Sequence, residues 1–204
     1  MVGWIGYLPV DGTLGKSEMG AEQDVTLWHV AIHEAGHAVA LVRLNHQSGS
    51  VTIESGQLES GLRYRGKADG DHPDNIWVAE QGGTLATVYA AGYAAMVAHG
   101  IEEELANESA WQDFDNAEEL LRFWLPEKSL EDCRREALEL MREPANLRAV
   151  GRVADELLLR GTVDEDHLSV LIDLVDGGGS EEEDWEYRVY LRMRGLDLPA
   201  NSAT

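Results

Sequence analysis

Residues 30–39, with the sequence VAIHEAGHAV, place two histidines and a glutamate inside an apolar segment. Apolar side chains lie on nearly all sides of a helix that we predict from about Asp24 or Thr26, both good N-cap residues, to Leu44. A helix that is apolar all round is typical of a buried position. The segment therefore predicts a core helix that carries polar side chains into the interior.

The spacing of these polar residues predicts a metal site. His33 and His37 are four residues apart, so both imidazoles project from one helix face and can bind a single cation. Glu34 lies about 100° further round the helix, where it can take a proton from metal-bound water without being a ligand. Gly36 leaves room for the close approach of another element. The alternative is that the H-E-x-x-H pattern occurs by chance and that its histidines make ordinary hydrogen bonds. However, burying three polar groups without partners costs free energy. We expect His29, on the same face, to be a core or partly exposed histidine.

A catalytic zinc needs a third protein ligand and one open position. In the extended pattern with a third histidine, Gly stands at position 40 and His at position 43, whereas this chain has Ala40 and Arg43. Acidic residues further along the chain remain as candidates, and spacing alone does not choose among them.

The stretch 30–39 resembles the zinc helix of the FtsH-type zinc peptidases (peptidase family M41). Val51–Ile53 resembles the strand that follows this helix in the family. Residues 90–95, AAGYAA, resemble its Gly- and Ala-rich helix, although the family usually has Gly-Arg followed by Ala-Glu-Glu. Residues 149–172 resemble its last helical pair. The resemblance spans about residues 25–173, and only the first segment is specific by itself.

The resemblance implies an aspartate as the third ligand, in a pattern of Asn-Asp-Ile followed by Ala-Thr. The matching segment here is residues 112–118, QDFDNAE. Asp113 matches because an apolar residue follows it and Ala117 stands four positions later. Asp115 is the rival candidate, and Gln112 replaces the Asn of the family.

From this resemblance we expect a zinc metalloendopeptidase. His33, His37 and Asp113 hold Zn²⁺, and Glu34 takes a proton as the zinc-bound water attacks a peptide carbonyl. No ATPase module fits before the zinc helix, so we expect a stand-alone, ATP-independent enzyme for peptides or unfolded proteins. The alternative is a catalytically silent zinc-binding regulatory or interaction module of the same fold. The intact Glu34 favours chemistry, because a structural site needs no base. The family also suggests a ring-shaped homo-oligomer.

We expect an α+β fold that is predominantly α-helical, with a zincin-like active-site helix, a small β-sheet and a C-terminal helical bundle. The peptidase domain is predicted to span residues 1–176, with an irregular segment at 1–23. A Gly-rich and acidic linker follows at 177–184, and then a helix and tail at 185–204 that could dock a partner. Short strands are predicted at Val51–Ile53 and Leu62–Tyr64, and we expect these strands to offer an edge to an extended substrate. The other predicted helices run from Pro73 to Gly100, Ser109 to Trp124, Ser129 to Met141, Asn146 to Arg160 and Asp164 to Val175.

The charge balance excludes some partners. The chain has 38 acidic and 16 basic residues, a formal net charge of −22. Residues 1–100 carry 11 acidic and 5 basic residues (−6), and residues 101–204 carry 27 and 11 (−16). Because such a chain repels phosphate groups, we expect no nucleic-acid partner and no anionic membrane surface.

Two further features bear on the environment of the chain. Gly82–Ile101 has no charged residue and the length of a membrane span, but it is rich in Ala, Gly, Thr and Tyr, which favours a buried helix. We therefore expect no membrane span, and we recognise no targeting segment. Cys133 is the single cysteine, which excludes an internal disulfide and suits a reducing compartment, so we expect a cytoplasmic protein.

Overall fold

Helices dominate the computed structural model, which describes residues 3–5, 26–57, 63–64, 66–71 and 76–177. The helices in this part of the chain are α1 (Leu27–Arg43), α2 (Ala79–Ala98), α3 (Glu103–Ser109), α4 (Trp111–Trp124), α5 (Leu130–Arg142), α6 (Pro144–Arg160) and α7 (Glu165–Val175). The strands are β1 (Gly3–Ile5), β2 (Ser48–Thr52), β3 (Gly56–Gln57), β4 (Arg63–Tyr64), β5 (Lys67–Gly70) and β6 (Thr162–Val163). The predicted fold class, predominantly helical with a small sheet, is confirmed. Most of segment 1–23, the linker after Gly177 and the predicted C-terminal helix lie outside the described residues.

Helix α1 begins with a reciprocal cap. The Thr26 hydroxyl oxygen accepts a hydrogen bond from the His29 backbone N–H at 3.3 Å, and His29 Nδ1 accepts one from the Thr26 N–H at 3.2 Å. Two otherwise unpaired donors at the helix start are thereby satisfied, which identifies Thr26 as the N-cap. Every residue from Val30 to Leu41 is buried, as the apolar pattern predicted.

The main sheet is antiparallel, with the strand order β1-β5-β2-β6. Strands β3 and β4 pair only with each other among the described strands. Because β2 has a neighbour on both sides, the prediction that the strand at Val51–Ile53 offers a free edge to a substrate is wrong. The strand that pairs between β1 and β2, β5, was not predicted from the sequence.

Small residues at alternate positions let β5, together with the residue just before it, lie directly against α1. Gly66, Ala68 and Gly70 are buried. A Cβ at Gly66 would be 2.7 Å from Val30 Cγ1, and one at Gly70 would be 2.6 Å from Leu41 Cδ1. Since alternate residues of a strand point to the same face, these three positions form the face that α1 covers.

Helix α2 lies in the core against α1, α4 and α5. Almost all of its residues from Gly82 to Met96 are buried, so the prediction of a buried helix in this region is confirmed. A Cβ at Gly36 would be 2.5 Å from Ala95 Cβ and 2.6 Å from the Ala91 carbonyl oxygen, which confirms the close approach predicted at Gly36. None of the helices among the described residues combines the length and the hydropathy of a membrane span.

The remaining helices follow the predicted pattern with one addition. The helix predicted from about Ser109 is α4, and the added helix is α3, which is separated from α4 at Ala110. Helix α5 starts with a capping box between Ser129 and Asp132. Helix α6 starts with Pro144 and ends at Gly161, whose φ of 79° favours glycine.

Candidate metal centre

Three side chains from two helices meet in the core. His33 and His37 come from the middle of α1, and Asp113 comes from the first turn of α4. All three are 0% exposed. They form a group whose donor atoms lie close enough together to hold one metal ion. The structure thus brings together the three residues that the sequence analysis singled out as ligands.

The donor atoms form a small triangle. His33 Nε2 lies 3.0 Å from His37 Nε2 and 3.1 Å from Asp113 Oδ2, and His37 Nε2 lies 3.5 Å from the same Oδ2. Ligand atoms at about 2.0–2.2 Å from a tetrahedral zinc are roughly 3.3–3.5 Å apart. The three separations therefore suit atoms that share one small cation.

A backbone contact fixes the orientation of His37. Its Nδ1–H donates a hydrogen bond to the Val88 carbonyl oxygen of α2 at 2.9 Å. Because a carbonyl only accepts, the proton of the neutral imidazole is on Nδ1, and the Nε2 lone pair points to the triangle. This arrangement is common among metal-binding histidines, whose outer nitrogen is held by a carbonyl or carboxylate.

Several polar atoms at the cluster lack partners. Among the described residues, His33 Nδ1, Asp113 Oδ1 and both Glu34 carboxylate oxygens are buried without a hydrogen-bond partner. Unpaired polar atoms in a core are costly, and a cation between the donor atoms would compensate the charge of Asp113. The donor set, two imidazoles and a carboxylate, is one that zinc accepts. The residues therefore fit a bound metal ion.

Glu34 lies against the sheet, next to the cluster in sequence. A Cβ at Gly66 would be 2.7 Å from Glu34 Oε1 and 2.8 Å from Glu34 Cγ, so the backbone at the start of β5 covers the carboxylate. Burial raises the pKa of Glu34 well above its usual value, and the negative charges of Asp113 and Asp69 raise it further, whereas the Ala68 backbone N–H opposes the shift.

Burial and the interactions within the cluster have opposing effects on the pKa values of its side chains. Burial lowers the pKa of His33, because the imidazolium form is disfavoured away from water. Burial would raise the pKa of Asp113, but the two histidines outweigh it and the pKa is lowered. The neutral imidazole of His33 and the ionised carboxylate of Asp113, which these shifts favour, are the forms that bind a metal.

Gly92 of α2 forms the floor of the site. A Cβ at this position would be 2.6 Å from His37 Nε2 and 2.7 Å from both Nε2 and Cε1 of His33. Only a glycine leaves room for the two rings here. In the sequence, Gly92 is distinguished only by the family resemblance of residues 90–95.

The other candidate residues lie elsewhere. Asp115, the rival ligand, is exposed, and His29 caps α1 as described above. His46 contacts Asp71 Oδ2 and Thr84 Oγ1, each at 2.9 Å, and so joins the end of α1 to β5 and α2. Cys133 is fully buried, as expected for a small core residue.

Val88, Gly66 and Ala68 were not predicted from the sequence. Val88 acts through its carbonyl oxygen, for which no side-chain signal exists. Gly66, Ala68 and Gly70 do carry a signal, which is the alternation of small residues in a strand that packs closely on a helix. No protein-family model matches this chain, and no curated protein matches it.

Proposed function

We propose that this chain is a zinc metallopeptidase with a zincin-like fold that hydrolyses peptide bonds without ATP. The observation that carries the proposal is the buried triangle of His33 Nε2, His37 Nε2 and Asp113 Oδ2, with an unpartnered carboxylate on the residue next to His33. The resemblance of residues 30–39 to the FtsH-type peptidases supports the same proposal.

In the proposed reaction the zinc would activate water and the carbonyl, and the side chains would hold the zinc. When bound, Zn²⁺ supplies a Lewis acid that makes water a nucleophile near neutral pH and polarises a carbonyl. His33, His37 and Asp113 would hold it, and Val88 keeps His37 in the tautomer that presents Nε2. Gly92 has no Cβ and therefore leaves room for both imidazole rings.

Glu34 moves the proton. Its carboxylate accepts a proton from the attacking water and passes it to the nitrogen of the leaving amine, so the carboxylate is regenerated after each turnover. Burial against Gly66 favours proton uptake, since it raises the pKa of the side chain. Peptides and unfolded proteins are the substrates that this chemistry serves.

The alternative function is a silent zinc-binding regulatory module. One observation favours it: all four polar side chains of the site are 0% exposed, as in a structural metal site. Against it, a structural metal site does not require Glu34. Burying its carboxylate without a partner would then destabilise the fold and serve no function.

A conservative variant separates the two functions. Glu34→Gln removes the proton acceptor and keeps the shape, so we expect zinc content to stay at the wild-type level while hydrolysis of a fluorescein-labelled unfolded protein falls by about 10²–10⁴-fold. Glu118→Gln, an exposed glutamate of α4, is the matched control and should retain activity. If zinc-loaded wild type shows no hydrolysis, or Glu34→Gln is as active as wild type, the enzyme proposal is wrong.

A further inference from the structure

An arginine of α5 holds one aromatic ring of α2 and one of α4. The guanidinium carbon of Arg134 is 4.4 Å from the centre of the Tyr93 ring and 5.1 Å from the centre of the Phe114 ring. The two rings also meet each other edge to face, with their centres 5.6 Å apart. Favourable contacts between a cation and two aromatic rings thus join the three helices at one point.

Each of the two rings belongs to a residue that follows a part of the metal centre. Tyr93 directly follows Gly92, which forms the floor of the site. Phe114 directly follows Asp113, the candidate third ligand. Consecutive side chains of a helix point about 100° apart, so each ring lies to the side of the group that faces the centre. A contact that fixes one ring against the other therefore also fixes the floor of the site against its carboxylate.

The first turn of α4 has no side-chain cap. Its N-cap residue is Ala110, and no side chain accepts a hydrogen bond from the backbone at this helix start. The first N–H groups of a helix have no partner within the helix, so tertiary contacts are needed to hold an uncapped turn. Asp113 lies in this turn. Its position in the core therefore depends on the contacts of its neighbour Phe114.

Hydrogen bonds to α3 fix the guanidinium group. Arg134 Nη2 donates to Asn107 Oδ1 at 2.8 Å and lies 3.9 Å from Glu103 Oε1, which accepts a hydrogen bond from the Tyr93 hydroxyl at 2.9 Å. A planar guanidinium can stack on rings and donate hydrogen bonds in its own plane at the same time, whereas a lysine ammonium is a compact point charge. One side chain thereby joins α2, α3 and the start of α4.

We propose that Arg134 is a positioning residue of the metal centre. By stacking on Tyr93 and Phe114, it sets the position of Asp113 Oδ2 relative to the Nε2 atoms of the two histidines. It thereby sets the affinity and the coordination geometry of the bound metal. This inference rests on the proposed function, of which it uses the metal centre but not the hydrolysis.

Zinc binding by two arginine variants tests the inference. Arg134→Met removes the guanidinium group and keeps an unbranched side chain that suits a helix. We expect its zinc affinity, measured by competition with a chromophoric chelator, to fall by about tenfold, the lower end of the effect of residues that orient metal ligands. Arg135→Met is the matched control, because it removes the same charge from the same helix at a side chain that is 57% exposed. Its zinc affinity should equal that of wild type. Wild-type affinity in Arg134→Met, or equal losses in the two variants, overturns the inference.

A cobalt spectrum separates positioning from a general loss of stability. Co²⁺ can replace zinc, and its visible absorption bands depend on the geometry of its ligands. A variant that is only less stable gives the wild-type bands as long as it is folded. We expect shifted bands in cobalt-loaded Arg134→Met and wild-type bands in Arg135→Met, both recorded where circular dichroism shows a folded chain. Wild-type bands in Arg134→Met contradict a positioning role.

Two milder variants decide the question if Arg134→Met does not fold. Arg134→Lys keeps the positive charge without the planar stacking, and Phe114→Leu keeps an apolar side chain without the ring. We expect both to shift the cobalt bands. Because the two side chains act through one contact, the loss of zinc affinity in the double variant should be smaller than the product of the single losses. Wild-type bands in both single variants, or losses that multiply, overturn the inference.

These outcomes are separate from those of the proposed function. If wild type binds zinc but cleaves nothing, and Arg134→Met binds zinc more weakly with shifted cobalt bands, the positioning role stands and the enzyme proposal fails. If wild type cleaves unfolded protein and both arginine variants bind zinc as wild type does, the proposed function stands and the positioning role fails. A wild-type chain that binds no zinc overturns both.

Discussion

Gly92 lies where the two imidazole rings meet α2, so a single methyl group there has a large predicted effect. In Gly92→Ala the new Cβ would be 2.6 Å from His37 Nε2, and the rings must move away from α2. We expect zinc affinity to fall by at least about 10–100-fold, as when a group that orients a ligand is lost. Equilibrium dialysis with zinc measures this.

Gly151 of α6 provides the matched control. A Cβ there would be 3.6 Å from His99 Cε1, an ordinary contact. Gly151→Ala should leave zinc affinity unchanged and stabilise the fold by up to about 1 kcal/mol, because alanine favours a helix interior. Unchanged zinc binding in Gly92→Ala would show that α2 does not form the floor of the site.

Asp113 and Asp115 offer a second matched pair. Asp113→Asn replaces a charged ligand with a neutral amide. Loss of a residue that only hydrogen-bonds to a ligand lowers metal affinity roughly 10–100-fold, and we expect the loss of zinc affinity in Asp113→Asn to be larger. Asp115→Asn alters an exposed side chain and should bind zinc as wild type does. The reverse order of effects would assign the third ligand to Asp115. Isothermal titration with zinc distinguishes the two outcomes.

The residues of the site differ in how far the sequence predicted them. His33, Glu34 and His37 follow from their spacing on one apolar helix. Asp113 needed the family resemblance, because an acid in so acidic a region has no distinguishing signal of its own. The Val88 carbonyl could not be predicted, since any residue supplies a carbonyl oxygen and only the packing of α2 on α1 selects this one.

At the scale of secondary-structure elements, a charged clamp joins the C-terminal end of α1 to that of α7. Arg43 donates from Nη1 and Nη2 to the two carboxylate oxygens of Asp176, each at 2.7 Å, and from Nε to Asn146 Oδ1 at 2.7 Å. The hydrogen bonds from Arg43 lower the pKa of Asp176. A carboxyl group with a lowered folded-state pKa stabilises the fold above its unfolded pKa, and this contribution is lost as the pH falls through the folded value.

Asp176→Asn should therefore destabilise the protein at neutral pH only. We expect a loss of less than about 1 kcal/mol at pH 7, since the pair is partly exposed to solvent. The difference from wild type should narrow below about pH 4. Asp173→Asn, an exposed aspartate on the same helix, should show a smaller effect. Urea unfolding at several pH values measures this, and a difference that grows as the pH falls would contradict the clamp.

Helices were predicted more reliably than strands. The buried helices α1 and α2 and the amphipathic α5 to α7 have long apolar patterns, so their positions followed from the sequence within a few residues. Helix α3 was not predicted, because its seven residues are too few to show a helical period. Strand β5 was missed as well, since KADG has neither β-branched nor aromatic residues and forms a strand through its pairing with β1 and β2.

At the scale of the whole molecule, the chain is strongly acidic, and a few of its acidic side chains lie in the core. Of its 38 acidic residues, Glu34, Asp113 and Glu156 are buried among those that the structure describes. Glu156 pairs with Arg160 at 2.6 Å, whereas within the described ranges Asp113 contacts His33 and His37 and neither Glu34 nor Asp113 pairs with a lysine or an arginine. The charge of −22 therefore says little about the site, and the two acids that matter are the ones without a lysine or arginine beside them.

The central claim is that one metal ion joins α1 to α4, and anomalous diffraction from crystals grown with zinc tests it most directly. We predict one peak at the zinc edge in the core, about 2.0–2.2 Å from His33 Nε2, His37 Nε2 and Asp113 Oδ2, with Glu34 outside the coordination shell. A peak bound by another carboxylate in place of Asp113, or the absence of any peak between the two histidines, would contradict the account.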